Sequence, residues 1–493
     1  MINVLTREEA LFTRCLDEEK KRAAARPARD SLAEFSRRAW HIVEPKSIYK
    51  HGWHIDAISE HLEAVKMGQI RDLLITIPPR CMKSRLGAVF FPSWLWIDNP
   101  EKRFIYASHS ASLSKRDSIA TRLVVQSEWY RREFGISWTM SEDQNEKMRF
   151  KNTAEGYRIA TSIGGGATGE GGDVLVVDDP HKVIEAESEA KRKEVIDCWD
   201  HELSDRCSDP KTFARIVIMQ RSHEMDLAGH ILAKGGFVHL KLPMEFDSKK
   251  RCVTSIGWVD PREQEGELLW PERFGPYEVV QLKKDFGSFM SAAKLQQEPA
   301  PAGGNVVDPA WWKYYKEIPA NIQKYTQSWD LSFDVTDTSS FVVGQVWGLI
   351  GANKYLLDQV RIRTAFTGQL ALVKALSVKW PHTTHKWVEK KANGAALLNV
   401  LTTEVEGLIP IEPRGSKEMR AMAVSPQIES GNVWLPDPSI APWIGDFVTE
   451  WTMFPNGAND DQVDACSQSL MMLKLMQPLL CVPLGMTGTS KWR

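Results

Sequence analysis

The sequence predicts an α/β protein of two domains: a parallel sheet wrapped by helices, then a second, mixed sheet. Three observations carry this. Short runs rich in Ile and Val alternate with polar segments of helical character over the first half of the chain, the pattern of strands buried on both faces. Residues 245–320 cluster Pro and Gly and break that alternation, as a connector or small subdomain does. A new β-rich block then begins near Tyr325. The expected divisions are residues 1–245, including an N-terminal helical segment, a connector at 246–320, a second domain at 321–480 and a tail at 481–493.

Taken in order, residues 1–50 are polar and in places basic ("EEKKRAAARPARD"), and read as helical. Residues 53–70 place Ile55, Ile58, Leu62 and Val65 on one helical face. The strands of the first sheet are LLITI (73–77), RFIYAS (103–108), YRIATS (157–162), VLVVDD (174–179) and RIVIMQ (215–220). Residues 182–207 predict a long, exposed helical region. In the second block, 325–334, 340–351 and 353–363 predict three consecutive antiparallel strands. A helix at 367–380, a strand at 385–391 and a helix at 394–406 follow. The order β-β-β-α-β-α is that of an RNase H-like core.

Bulk properties narrow the class. The chain has 493 residues and a formal net charge of −2, so it is not a globally basic protein that stores nucleic acid, although a local basic groove is compatible with it. The seven cysteines form no C-x-x-C pair, which argues against a disulfide frame or zinc finger and fits a reducing compartment. No signal peptide and no internal repeat is evident, and no stretch reaches the roughly 20 apolar residues that span a bilayer.

The first chemical constellation concerns phosphate. Phosphate binding needs inward-pointing backbone N–H groups at a helix N-terminus and a lysine for the β and γ phosphates. In "IPPRCMKS", Lys83 and Ser84 follow a strand directly, so Pro79, Arg80, Cys81, Met82, Lys83 and Ser84 form the candidate loop. The usual pattern G-x-x-x-x-G-K-[ST] has glycines six residues and one residue before the lysine; neither is present here, and Met82 stands directly before it. Downstream, "VLVVDDP" ends a strand in two carboxylates: Asp178 to hold Mg²⁺ together with Ser84, and Asp179 to position the attacking water. Gln220 and Arg221 leave a further strand end, where they can sense the γ-phosphate or couple it to motion. The glycine-rich segment 162–173 precedes the strand of the two acids. Lys-Ser after a strand is common, and paired acids often cap helices. It is their joint order at strand ends that predicts an ATPase, since ligands of open parallel sheets bind outside the carboxyl ends of the strands.

The second constellation is acidic. Two-metal nucleases need carboxylates converging from separate strands and a helix. Asp330 lies within a strand between Trp329 and Leu331, where an unpartnered charge is costly. Glu389 ends the strand at 385–391, and "NDDQVDA" opens the last helix with Asp460, Asp461 and Asp464. Asp461 is the favoured ligand of those three. Nearby cations, Arg361, Arg363, Lys390, Lys391, Arg414, Lys417 and Arg420, are candidates for contact with DNA phosphates.

These motifs together resemble the large terminase subunit of tailed bacteriophages. "PPRCMKS" is similar to the family's PPR-x-G-K-S loop, "TGEGGDVLVVDDPHK" to its acidic-strand segment and "QRSHEMDLAGHIL" to its coupling segment. "AAKLQQEPAPAGG" resembles the linker between motor and nuclease. "WVEKKANGAAL" and "FPNGANDDQVDA" resemble the second and third nuclease motifs. The resemblance implies an N-terminal ASCE-type P-loop ATPase that pumps double-stranded DNA into a procapsid, using ATP with Mg²⁺. It implies a C-terminal RNase H-like nuclease using two Mg²⁺ or Mn²⁺ to cut concatemeric genomes. It also implies a ring, usually a pentamer, docked transiently on the portal protein, a small terminase subunit as partner, no membrane, and action in the host cytoplasm and not in the mature virion. The departures are Met82 at the usual glycine and Glu170 where many relatives carry an arginine, so the candidates for an arginine finger are Arg80, Arg158 and Arg221. Trp53 and His54 stand at the position of the family's adenine motif. A helicase-type ATPase with an inactive nuclease-like domain is the alternative, and a scaffold that has lost nucleotide binding is a third class.

Overall fold

The structure is a computed structural model, and it describes residues 26–165, 169, 171–182, 185–186, 188–299, 306–331, 341–390, 402–413, 415–457 and 459–476. The chain forms two compact units, Met1–Ala302 and Gly303–Arg493.

The first unit is built on an eight-stranded sheet of order β3-β4-β5-β2-β6-β7-β1-β8. Its strands are β1 (Asp72–Thr76), β2 (Phe104–Ser108), β3 (Met140–Asn145), β4 (Arg149–Asn152), β5 (Tyr157–Ser162), β6 (Val174–Asp178), β7 (Ala214–Met219) and β8 (Val238–Lys241). All neighbours from β5 to β8 pair in parallel, and β3 and β4 add an antiparallel edge. The five strands predicted here all form. Their side chains are buried almost throughout, Leu73, Leu74 and Ile75 fully so, because helices cover both faces. Two apolar clusters, one on each side, include alternate residues of the same strands: Leu73 and Ile75 lie in one, Leu74 in the other. That is the period of two expected of a strand.

The helix Trp53–Lys66 buries Ile55, Ile58, Leu62 and Val65, as its spacing predicts. Within 182–207 the helical part is Glu189–Cys198, continued by a π-helical turn Trp199–Leu203, and it is less exposed than expected: Val195, Cys198, Trp199 and Leu203 are buried against the sheet. Residues 246–299 belong to the first unit. They include the helix Pro276–Lys294, broken at Gly287 where φ is 70°, with Val279 and Leu282 packed into the main core.

The second unit holds a seven-stranded sheet of order β14-β13-β10-β11-β12-β15-β9. Its strands are β9 (Lys313–Tyr315), β10 (Lys324–Asp330), β11 (Val342–Ile350), β12 (Asn353–Ile362), β13 (Thr383–Glu389), β14 (Leu408–Ile411) and β15 (Val433–Pro436). β10, β11 and β12 form the predicted antiparallel meander, and β13 adds in parallel to β10 after the helix Phe366–Lys379. The predicted helix at 394–406 falls mostly outside the described residues. Helices Lys417–Glu429, Ile444–Met453 and Asp461–Leu475 complete the unit. The last is fixed to the sheet by polar contacts: Ser328 Oγ donates to the Ala465 carbonyl at 2.7 Å, and Gln468 Nε2 donates to Ser328 Oγ at 2.9 Å.

Candidate functional site

The first site lies at the carboxyl ends of β1, β6 and β7. Extension of the β1–β7 pairing, Ile77 N to Met219 O at 3.1 Å, carries the chain into the loop 78–84. The loop turns through two left-handed residues, Arg80 at φ 63° and Met82 at φ 62°. This accounts for the usual glycine at position 82: the backbone adopts there a conformation that glycine takes without penalty. The Met82 side chain is packed into the main core beside fully buried Cys81, so it leaves the concave side of the loop open. Ser84 then leads into a π-helical turn, Arg85–Phe90, that continues as the helix Phe91–Asp98.

Lys83 is buried, and its Nζ lies 2.9 Å from Asp179 Oδ2. Asp179 is itself left-handed, at φ 43°. Its Oδ1 accepts the Gln220 backbone N–H at 3.2 Å, and its carbonyl accepts His109 Nδ1 at 2.8 Å. Asp178 accepts a hydrogen bond from the Ser84 side chain, while its Oδ1 is buried and has no protein partner among the described residues. Burial, and then the neighbouring Asp179 charge, raise the Asp178 pKa to about 7, partly offset by Lys83 and the Ser84 hydroxyl. An orphaned, buried carboxylate oxygen beside a serine hydroxyl suits a hard divalent cation with oxygen ligands. Lys83, Ser84, Asp178, Asp179 and Gln220 are therefore brought together.

Other expected members of this site lie elsewhere. Arg221 is not a free cation: it is buried, with Nε 3.0 Å from both oxygens of fully buried Asp226 and Nη2 on the His223 and Glu224 carbonyls. Arg158 is fully buried and stacks over Tyr106 at 4.1 Å. Of the three candidate fingers only Arg80 is exposed. Trp53 and His54 open the helix Trp53–Lys66 and pack on aromatic neighbours, Trp53 on Trp258 and His54 on Trp270. His54 has no polar partner at either ring nitrogen among the described residues. Burial, aided by the charges of His51, Arg262 and Arg273, lowers its pKa to about 3.

Sequence reasoning did not single out His181, whose Nε2 accepts the Leu227 N–H at 2.8 Å at the start of the helix Leu227–Lys234. Nor did it find Gln297, whose Oε1 accepts the Arg221 N–H at 2.9 Å. Both contacts tie the acid turn and the connector to the segment after β7. The one available signal was the polar run "DDPHK" directly after an apolar strand.

The second site lies at the carboxyl ends of β10 and β13. These strands run parallel with Trp329 opposite Val388, so Asp330 and Glu389 emerge side by side, both buried. Asp461 and Asp464 stand in the first turn of the helix Asp461–Leu475, with Asp460 at its N-cap, where the helix dipole favours carboxylates. Asp461 Oδ2 accepts the Phe341 N–H at 3.3 Å. Burial, then the charges of Glu450 and Asp460, push the Asp461 pKa up.

Two cations enter this cluster instead of facing outward, as contact with DNA phosphates would need. Lys417 Nζ lies 2.6 Å from Asp460 Oδ1 and 2.8 Å from Asp464 Oδ2. Arg420 Nη2 lies 2.6 Å from Asp464 Oδ1 and 3.7 Å from Glu389 Oε2. Burial alone would lower the Arg420 pKa, but Asp464, Glu389 and Asp330 outweigh it and raise it. The carboxylates are the right donors for Mg²⁺ or Mn²⁺. With these cations in place, no three acids among the described residues are arranged to close around one ion. Of the remaining basic residues, Arg361 pairs with Glu450 at 3.1 Å and Lys390 with Glu412 at 3.0 Å. Lys391 and Arg414 lie outside the described residues.

Residues 327–473 match the family model of the terminase RNase H-like domain. Asp330, Glu389, Asp461 and Asp464 all fall within these residues. Among solved structures, a large terminase from a thermophilic bacteriophage is similar over 84% of this chain and 98% of its own, at 10% identity and a TM-score of 0.50, which establishes a shared fold. The large terminase nuclease of thermophilic phage G20c with bound magnesium matches over 35% of this chain and 98% of its own, at 16% identity and a TM-score of 0.27. The large terminase of bacteriophage HK97 matches over 89% and 98%, at 10% identity and a TM-score of 0.36. No curated protein matches the chain. Among the described residues no helix is long and apolar enough to cross a membrane.

Proposed function

We propose that the chain is the large subunit of a DNA-packaging terminase, an ATPase and endonuclease in one polypeptide. The observation that carries the ATPase reading is the meeting of Lys83 and Ser84, after β1, with Asp178 and Asp179, at the end of β6. In this reading ATP with Mg²⁺ occupies the loop 79–84. Ser84 and the orphaned oxygen of Asp178 would hold the ion, which would supply charge neutralisation at the phosphates. Lys83 leaves Asp179 for the phosphates, and Asp179 is released to orient the attacking water. Arg80, at the exposed edge of the loop, supplies a further positive charge. Asp179 is joined directly to the Gln220 backbone, so a change at the hydrolytic acid reaches the coupling segment 220–226 through one hydrogen bond.

For the second site the reading is a nuclease in which Asp330, Glu389 and Asp461, with Asp460 and Asp464 alongside, hold Mg²⁺ or Mn²⁺. Their oxygen donors and their convergence from two strands and a helix support it. Bound divalent ions would polarise the phosphodiester and activate water. The acids themselves set where those charges sit. The further expectations follow from the family: double-stranded DNA as substrate, the portal protein and small terminase subunit as partners, a ring on the procapsid, and action in the host cytoplasm.

One observation favours a second reading, a DNA-dependent ATPase with an inactive nuclease-like domain: Lys417 and Arg420 partly neutralise the acids. Two variants of the full-length protein separate the readings. Lys83→Ala should lose DNA-stimulated ATP hydrolysis and keep Mn²⁺-dependent cutting of plasmid. Asp330→Asn should do the reverse. Hydrolysis that survives in Lys83→Ala would refute the phosphate loop. Absence of any cutting by the wild-type protein with Mg²⁺ or Mn²⁺ would favour the second reading.

A further inference from the structure

We propose that Lys417 and Arg420 are built-in counter-ions of the acid cluster, holding its charge balanced until a divalent ion arrives and yielding Asp464 to it. The inference rests on the nuclease reading and deepens it.

The two cations stand one helical turn apart in the first turn of the helix Lys417–Glu429, capped by Ser416, and so share one face. A helix N-terminus is an unfavourable place for positive charge, so the helix does not explain their presence there. The acids do. Asp464 is buried: Arg420 donates a hydrogen bond to its Oδ1, while Lys417 stands 2.8 Å from its Oδ2 as an ion pair and leaves that oxygen without a hydrogen bond among the described residues. Arg420 also approaches Glu389 and lies in the field of Asp330. Buried carboxylates this close cannot all stay charged without compensation. Five carboxylates, Asp330, Glu389, Asp460, Asp461 and Asp464, face these two cations, so an excess of negative charge remains to attract a divalent ion. For Asp464 to serve as a ligand through its Oδ2, the cation held against that oxygen by charge alone must withdraw. Lys417 is the mobile one: its side chain is 39% exposed against 8% for Arg420. Arg420 then remains as the buried group that keeps Glu389 and Asp464 apart in position.

The test is a calorimetric titration of Mn²⁺ into the full-length protein without nucleotide, with Asp330→Asn reporting binding at other sites. Lys417→Gln and Arg420→Gln should each bind Mn²⁺ at the acid cluster at least about tenfold more tightly than wild type, the scale on which a neighbouring like charge acts. Arg420→Lys should stay close to wild type. In EDTA, Arg420→Gln should melt at lower temperature than wild type, and Mn²⁺ should close the gap. If Arg420→Gln does not fold, Lys417→Gln carries the affinity test alone. Unchanged or weaker Mn²⁺ binding in the cation variants, with binding still lost in Asp330→Asn, overturns the counter-ion inference and leaves the nuclease reading standing. Mn²⁺ binding that Asp330→Asn does not alter overturns both.

Discussion

Met82 gives the most exacting prediction, because two opposed effects meet at one residue. Its side chain is 8% exposed and belongs to the main core, while its φ of 62° is left-handed. Truncating a buried methionine to alanine costs about 2–5 kcal/mol. Alanine keeps the strain of a left-handed backbone, whereas glycine removes it, a difference of about 1 kcal/mol. Met82→Ala should therefore destabilise the loop by about 3 kcal/mol, and Met82→Gly by about 1 kcal/mol less. That order reverses the ordinary one, in which glycine is the worse replacement inside regular structure. A chain of two units need not unfold in one step, so a local probe is preferable. Cys81 serves: it is fully buried beside Met82, and burial raises its thiol to about 12. Labelling by a thiol reagent, mapped to Cys81 by mass spectrometry, should be slowest in wild type and about fivefold faster in Met82→Ala than in Met82→Gly. Equal rates in the two variants, or slower labelling in Met82→Ala, would refute the left-handed loop. Wild-type rates in both would refute the packing of Met82. Nucleotide affinity should survive in Met82→Gly, since the side chain points into the core.

The Arg221–Asp226 pair is buried on both sides, so Asp226→Ala should cost at least about 3 kcal/mol in urea unfolding, by stranding a buried guanidinium. A loss below about 1 kcal/mol would mean that the pair behaves as a surface contact. His54 is held neutral in the fold with a pKa of about 3, below its unfolded value, so its contribution is fully present above the unfolded pKa and is lost as pH falls towards 3. Between pH 7.5 and 4.5 wild type should therefore lose roughly 2–3 kcal/mol more stability than His54→Leu. Equal pH slopes would show that His54 is accessible to protons in the fold. His181 and His239, both lowered to about 4 by burial, are common to the two proteins and cancel.

The parts of the fold that were legible are those whose signal is local. Buried parallel strands write themselves as unbroken Ile and Val runs, and all five in the first unit could be placed. The acids at strand ends were legible for a related reason, since Asp330 between Trp329 and Leu331 breaks an apolar run. Edge strands were not: β8 (VHLK) and β14 (LIPI) are short and only partly buried, and carry too few residues to show a period. Charge partners were illegible throughout. Nothing local in "QRSHEMD" separates an arginine that senses phosphate from one paired five residues on with Asp226. Nothing in "SKEMR" shows that Lys417 and Arg420 turn towards acids more than 40 positions away and not towards solvent. Such assignments depend on which elements the fold brings together.

Backbone strain shows the same limit from another side. Among the described residues, the non-glycine residues with positive φ are Arg80, Met82, Glu155, Asp179 and Gln297. Left-handed backbone costs roughly 1–3 kcal/mol at each such position and persists only where the surroundings impose it. Four of the five, all but Glu155, lie on one connected path. Arg80 and Met82 shape the loop that presents Lys83. Asp179 pairs with Lys83 and accepts the Gln220 N–H. Gln297 accepts the N–H of the next residue, Arg221. Of these only Asp179, directly before Pro180, stands in a sequence that announces a turn. Their strain is therefore not the signature of a loop that happens to be tight. It marks strained positions at the phosphate loop, at the acid turn and at Gln297 within the connector. In the proposed reaction, release of Asp179 from Lys83 would act first on the Gln220 N–H that Asp179 Oδ1 accepts, and then, one residue along, on the Arg221 N–H that Gln297 accepts.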